Sequence, residues 1–169
     1  MALGAFLDRL TDFLQGLSAG YQALMTFLIS IVPVVELRGA VPVAAHAGLP
    51  WYAALPAAVA GNMLPVPFII LFARRVFIWL RRHTPFGRFA DRLEARAVRR
   101  IDTVKKYQFF GLLIFVAIPL PGTGAWTGAT IAAMMNMRIK TAFLPVLLGV
   151  IAAGFIMAAL SYGLFGLGA

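Results

Sequence analysis

No cysteine occurs in the 169 residues. Disulfides and thiolate metal sites are therefore excluded. Acidic residues number six and histidines two, His46 and His83, and all are dispersed along the chain. No carboxylate–histidine cluster offers a set of metal ligands, and neither a metal nor another cofactor is expected. Charge of either sign is scarce, at 12% of residues against about 25% in an ordinary soluble domain. Apolar residues fill the gap. They make up 62% of the chain, and its mean hydropathy is +0.89. A soluble domain is closer to half apolar, so the composition is that of an integral membrane protein.

The few charges are unevenly placed. The net charge is +9, and eleven of the 15 basic residues lie between Arg74 and Lys106. A basic block flanked by apolar runs marks a cytoplasmic loop under the positive-inside rule. A nucleic-acid binder would need a soluble body to display the same charge. The sequence has none, so no nucleic-acid partner is expected. The start, "MALGAFLDRLTDFLQG", lacks a basic leader and a clean apolar core, and no signal peptide is predicted.

Along the chain, Leu3, Phe6, Leu7, Leu10, Phe13, Leu14 and Leu17 share one helical face. This predicts an interfacial helix over residues 1–20, or equally a helix end packed on the bundle. Tyr21 to Val32 is apolar and unbroken. Twelve helical residues rise about 18 Å, whereas a crossing needs about 30 Å. Pro33 then interrupts, Glu36 and Arg38 follow, Gly39 and Pro42 break the pattern again, and Val43 to Leu49 is apolar. Two half-length helices with a polar, broken centre predict a re-entrant hairpin over 21–49. The alternative is one ordinary crossing from Phe13 to Pro33 with "ELRG" in an outside loop. Residues 51–73 are long enough to cross, with Trp51 and Tyr52 as interface anchors and Arg74 and Arg75 closing the far end. Pro56, Pro65 and Pro67 should kink this helix, and Asn62, polar at mid-depth, should face protein.

Residues 74–106 form the basic cytoplasmic segment. Thr84-Pro85 is a helix start. Phe86, Ala90, Leu93, Ala97, Ile101 and Val104 then recur opposite Arg88, Arg92, Arg96 and Arg99. This is a basic amphipathic helix, lying on anionic membrane lipid or solvated as a linker. Residues 107–137 carry no charge and centre on "PLPGTGAWTG" at 119–128. Half-membrane flanks on each side predict a second re-entrant hairpin, bracketed by Lys105, Lys106, Arg138 and Lys140. Residues 141–165 then cross once, with Pro145, Gly149 and Gly154 marking close packing.

The expected fold is therefore an all-α, multi-pass membrane protein. Two re-entrant hairpins, each followed by a transmembrane helix, form an inverted repeat joined by the basic cytoplasmic helix. The first hairpin enters from outside and the second from inside, which brings the tips together and leaves both termini outside.

Two constellations carry candidate chemistry. Glu36 and Arg38 would be costly in lipid, so a protein- or water-lined cavity should hold them. Arg38 offers a fixed fork for phosphate or carboxylate, and Glu36 a proton-coupling group. The structural alternative is a salt bridge tying the hairpins. Gly122, Thr123 and Gly124 precede a helix predicted to begin near Ala125, whose free N–H groups can hold an anion. Thr127 and Thr130 add hydroxyls, and Trp126 lines a path or packs on the bundle. With Asn62, the candidate substrate-binding set is Glu36, Arg38, Asn62, Gly122, Thr123, Gly124, Trp126 and Thr127. No P-loop follows the glycines. The acid–base sets of lipid phosphatases are missing, so no enzyme is expected.

"PVVELRGAVP" (33–42), "AGNMLPVPFIILFARR" (60–75), "KKYQFFGL" (105–112), "VAIPLPGTGAWTGA" (116–129) and "LLGVIAAG" (147–154) resemble the small multidrug export proteins of bacteria and archaea. That family is distantly similar to the DedA (SNARE-associated, VTT) membrane proteins. The resemblance implies a cytoplasmic (inner) membrane protein, and the distant kin imply paired re-entrant hairpins. The second hairpin lacks the acidic residue and paired arginines of DedA proteins, leaving Arg38 and backbone N–H groups as the anion ligands. The leading expectation is translocation of a lipid-linked phosphate such as undecaprenyl phosphate. The alternative is proton-coupled efflux of small amphiphilic molecules. A homo-oligomer is expected, since one copy has few helices with which to enclose a polar tip.

Overall fold

A computed structural model of the chain describes residue 9 and residues 16–83, 101–120, 123–135 and 137–163. The predicted interfacial helix (1–20) and the predicted basic helix from Thr84 fall largely outside the described residues. Every regular element among the described residues is an α-helix. In chain order these are α1 (Ala19–Ile31), α2 (Glu36–His46), α3 (Trp51–Met63), α4 (Val66–His83), α5 (Ile101–Ala117), α6 (Ala125–Met134) and α7 (Ile139–Ser161).

The breaks follow local chemistry. Pro33 pushes the residue before it out of helical geometry. Val32 is accordingly extended (φ −67°, ψ 124°), and α1 stops at Ile31. The chain then reverses through Val34 (φ 78°) and Glu36 (φ 49°), both left-handed. That conformation is costly for side chains with a Cβ, most of all a β-branched one. α2 begins at once. The sequence pattern placed an open tip as far as Pro42, but "ELRGAVP" is helical. Proline removes the hydrogen bond to the carbonyl four residues back, here that of Arg38, and crowds that carbonyl, yet the helix runs on through Pro42. At Gly39 the missing Cβ leaves room for the Val35 side chain.

Residues 51–73 are long and apolar enough to cross a membrane, and so are 139–161. The first span is broken at Leu64–Pro65, as its prolines required. Pro67 sits in the first turn of α4, where no N–H is needed. Pro56 and Pro145 lie inside α3 and α7. Trp51 and Tyr52 are exposed at the start of the span with rings edge to face, 6.2 Å apart. The apolar stretches Ala19–Ile31 and Tyr107–Ala117 are shorter.

One core joins both halves. Leu37 and Val41 of α2, Val66 and Ile70 of α4, Val116 of α5, Ala129 of α6 and Val146 and Val150 of α7 belong to a single buried cluster. Glycine lets two backbones meet at matching places. A Cβ on Gly61 of α3 would strike the Phe27 carbonyl of α1, and one on Gly149 of α7 would strike the Leu113 carbonyl of α5. Small residues at such crossings are the usual device of membrane helices. The second helix of each half crosses to the other half, α2 onto α7 and α6 onto α4. Large apolar side chains remain exposed around the molecule, among them Phe68, Phe72, Phe110, Ile114 and Phe155. A soluble monomer rarely exposes apolar surface on that scale.

Candidate functional site at the junction of the two tips

The junction begins with an ordinary problem of helix ends. The first N–H groups and last C=O groups of any helix lack partners within it. Here the end of α5 and the start of α6 lie close together in the chain; Ile118 and Leu120 just past α5 are exposed, whereas Gly124 and Ala125 at the start of α6 are buried. Residues of α2 answer both.

Gly124 is the extended residue before α6. The Glu36 carboxylate reaches this end, and its Oε1 accepts the Trp126 amide at 3.3 Å. Glu36 is 5% exposed. A Cβ at Gly124 would fall inside the carboxylate, so glycine is what admits Glu36 to the helix end. The negative charge also sits at the positive end of the α6 dipole.

Arg38 answers the other end. Its Nη1 donates to the Leu120 carbonyl, and its Nη2 donates to the Ile118 carbonyl at 3.3 Å and to Thr123 Oγ1 at 3.0 Å. The single hydrogen of the Thr123 hydroxyl is shared between Ile118 O at 2.7 Å and Leu120 O at 3.0 Å. These carbonyls lie just past the C-terminus of α5, where the dipole is negative. Glu36 and Arg38 thus tie the tips together, but through the backbone of the second tip rather than through a salt bridge. Two positions apart on a helix, they point in different directions. Both still reach the second tip because that tip straddles the start of α2.

Some polar atoms at the junction are left over. Glu36 Oε2, Arg38 Nε, Trp126 Nε1 and both amide atoms of Asn62 are buried without a protein partner. Asn62 is fully buried in the last turn of α3, immediately before the break at Leu64–Pro65. Trp126 is half-buried and lines an open groove of about 560 Å³ with Ile31, Leu64, Phe68, Phe72 and Thr130. The Thr130 hydroxyl donates to the Trp126 carbonyl at 2.9 Å. Thr127 is half-buried in the first turn of α6. Gly122 lies outside the described residues. Glu36, Arg38, Thr123, Gly124 and Trp126 are therefore brought together directly. Asn62 is not among them: it is buried in α3, two residues before Leu64, which lines the groove with Trp126.

The family model described as "Putative small multi-drug export protein" matches residues 36–156. The chain belongs to this family. The match opens at Glu36 and takes in the first candidate span, most of the second and the described residues of the junction. Among curated proteins and among solved structures nothing matches the chain.

One set of polar residues, N-terminal to the family match, was missed in the sequence pattern. Gln22, Thr26 and Ser30 are buried along one face of α1. Gln22 Nε2 donates to Ala47 O at 3.1 Å, Thr26 Oγ1 to Gln22 O at 2.7 Å, and Ser30 Oγ to Ala58 O. Gln22 binds α1 to the end of α2 and Ser30 binds it to α3, as polar groups do between membrane helices, while the Thr26 bond lies within α1. The signal was available as three polar residues four apart in an apolar helix.

Proposed function

We propose that the protein is a multi-pass transporter of the bacterial or archaeal cytoplasmic membrane, exporting small amphiphilic cations in exchange for protons at Glu36. The observation that carries this reading is the Glu36 carboxylate, buried with one oxygen on the Trp126 amide and the other without a protein partner. Ionisable groups within membrane segments are rare and mark transport pathways by default. A proton on Glu36 removes the charge from its bond to α6, and charge-assisted bonds are about twice as strong as neutral ones. Protonation therefore loosens the contact between the two halves. An amphiphilic cation at the same carboxylate restores charge balance without the proton, so cation and proton compete for one site. The process has no covalent step.

The two halves are read as an inverted repeat of re-entrant hairpins, α1–α2 with the α3–α4 span and α5–α6 with the α7 span. Support comes from the matched glycine crossings at Gly61 and Gly149 and from the reciprocal packing of α2 on α7 and α6 on α4. Such repeats alternate access around a central site. Residues 74–106 are then cytoplasmic, and a second copy helps enclose the junction.

Membership of a multi-drug export family favours this cargo over a lipid-linked phosphate. So does the site itself. Arg38 spends its fork on the second tip, and the Trp126 amide is spent on a carboxylate. A phosphate at the α6 terminus would meet negative charge there.

Purified protein in liposomes under an imposed pH gradient provides the test. The wild type should drive ethidium against its concentration gradient, and Glu36→Gln should lose the response to pH. Folded, inserted wild type that moves no amphiphilic cation under any gradient would sink this reading. Movement of undecaprenyl phosphate in the same vesicles would replace it with the other cargo.

A further inference from the structure

The groove beside Trp126 is lined along α4 as far as Ala73, two residues short of Arg75. Phe68 and Phe72 of α4 line it four residues apart, and Arg75, three further on, continues the same helical face. Arg75 is exposed. With Arg74 it opens the block that holds eleven of the 15 basic residues. At its other end the groove starts at Leu64 and Pro65, the break in the middle of the 51–73 span. From Leu64 to Arg75 a helix rises about 16 Å, close to half of the hydrocarbon thickness of about 30 Å. The groove is thus about one leaflet deep and apolar along its length, with the exposed Arg75 on the same helical face just beyond it. Its one hydroxyl, on Thr130, is committed to the Trp126 carbonyl.

We infer that the α4–α6 groove binds an anionic phospholipid from the arginine-flanked leaflet, with an acyl chain along Phe68 and Phe72 and the phosphate on Arg75. The apolar wall accepts any acyl chain. Arg75 selects the head group, because a guanidinium favours a net negative phosphate over a zwitterionic one. Such a lipid packs against the indole of Trp126, whose own amide holds Glu36, and so buttresses the junction from the lipid side. The inference rests on residues 51–73 crossing the membrane and does not depend on the cargo or on proton exchange.

Trp126 is also the reporter. With Trp51 and Trp79 replaced by phenylalanine, its fluorescence is followed in phosphatidylcholine vesicles. A small fraction of the lipid carries brominated chains on either phosphatidylglycerol or phosphatidylcholine. Brominated phosphatidylglycerol should quench several-fold more per mole, and Arg74→Gln with Arg75→Gln should remove the difference. Equal quenching by the two lipids, or selectivity that survives loss of both arginines, overturns the site. The unsubstituted protein supplies a second reading. Phosphatidylglycerol should be retained over phosphatidylcholine through detergent purification, and equal retention contradicts the proposal. Neither readout involves transport, so failure of export leaves this test intact, and failure of this test leaves export intact.

Discussion

Glu36 and Arg38 are tolerated in so apolar a chain because the backbone of the second tip needs them. The carboxylate serves an amide at the start of α6, and the guanidinium serves carbonyls beyond the end of α5. Both charges were conspicuous in the sequence, and so was the helix start at Ala125, because Gly-Thr-Gly marks it. Their partners were not legible, since a main-chain carbonyl carries no residue-type signal. Two outcomes follow at this scale. Arg38→Lys keeps the charge but cannot span Ile118, Leu120 and Thr123 together. Its thermal midpoint in detergent should fall between those of wild type and Arg38→Ala, the latter losing about 1.5–3 kcal/mol for its charged hydrogen bonds. Gly124→Ala drives a Cβ into the Glu36 carboxylate and should cost about 1–3 kcal/mol as overpacking does. In a Glu36→Ala background that cost should largely vanish, a coupling that a double-mutant cycle measures. Additive effects would mean that the two residues do not meet.

At the scale of elements, proline and glycine positions gave most of the boundaries. Pro33 ends α1, and Pro65 breaks the first long span. The pattern misled at "ELRGAVP", where Gly39 and Pro42 looked like a continued tip and are helical. A proline in the middle of a helix is tolerated when neighbours supply the packing, and Leu37, Ala40 and Val41 of α2 are almost fully buried. Glycines with different surroundings give a controlled comparison. Gly61→Ala places a methyl group on the Phe27 carbonyl, backbone that cannot yield cheaply, and should lower the thermal midpoint by the equivalent of about 1–3 kcal/mol. Gly111, inside α5, has nothing within 4 Å of an added Cβ. Gly111→Ala should be neutral or stabilise by about 0.5–1 kcal/mol through helix propensity. Equal destabilisation at both sites would contradict the packing of α1 on α3.

On the whole-molecule scale, composition alone announced a membrane protein, and the all-helical architecture with two candidate spans agrees with it. Which helices cross-pack was beyond the sequence, because α2 on α7 and α6 on α4 join residues far apart in the chain through apolar side chains such as Leu37, Ile70 and Val150. Such apolar residues carry no pairing code. Proton and cargo are proposed to share Glu36. Proton release on binding a permanently charged amphiphile, tetraphenylphosphonium, to purified protein in weakly buffered detergent tests this most directly. Glu36 holds its proton in the cargo-free state at sufficiently low pH and loses it when the cation arrives. Wild type should release about one proton per cation bound under these conditions, by the competition of two charges for one carboxylate. Release should fade as pH rises and the carboxylate is already ionised, and Glu36→Gln should release none. Binding without release in wild type, or unchanged release in Glu36→Gln, would contradict the account.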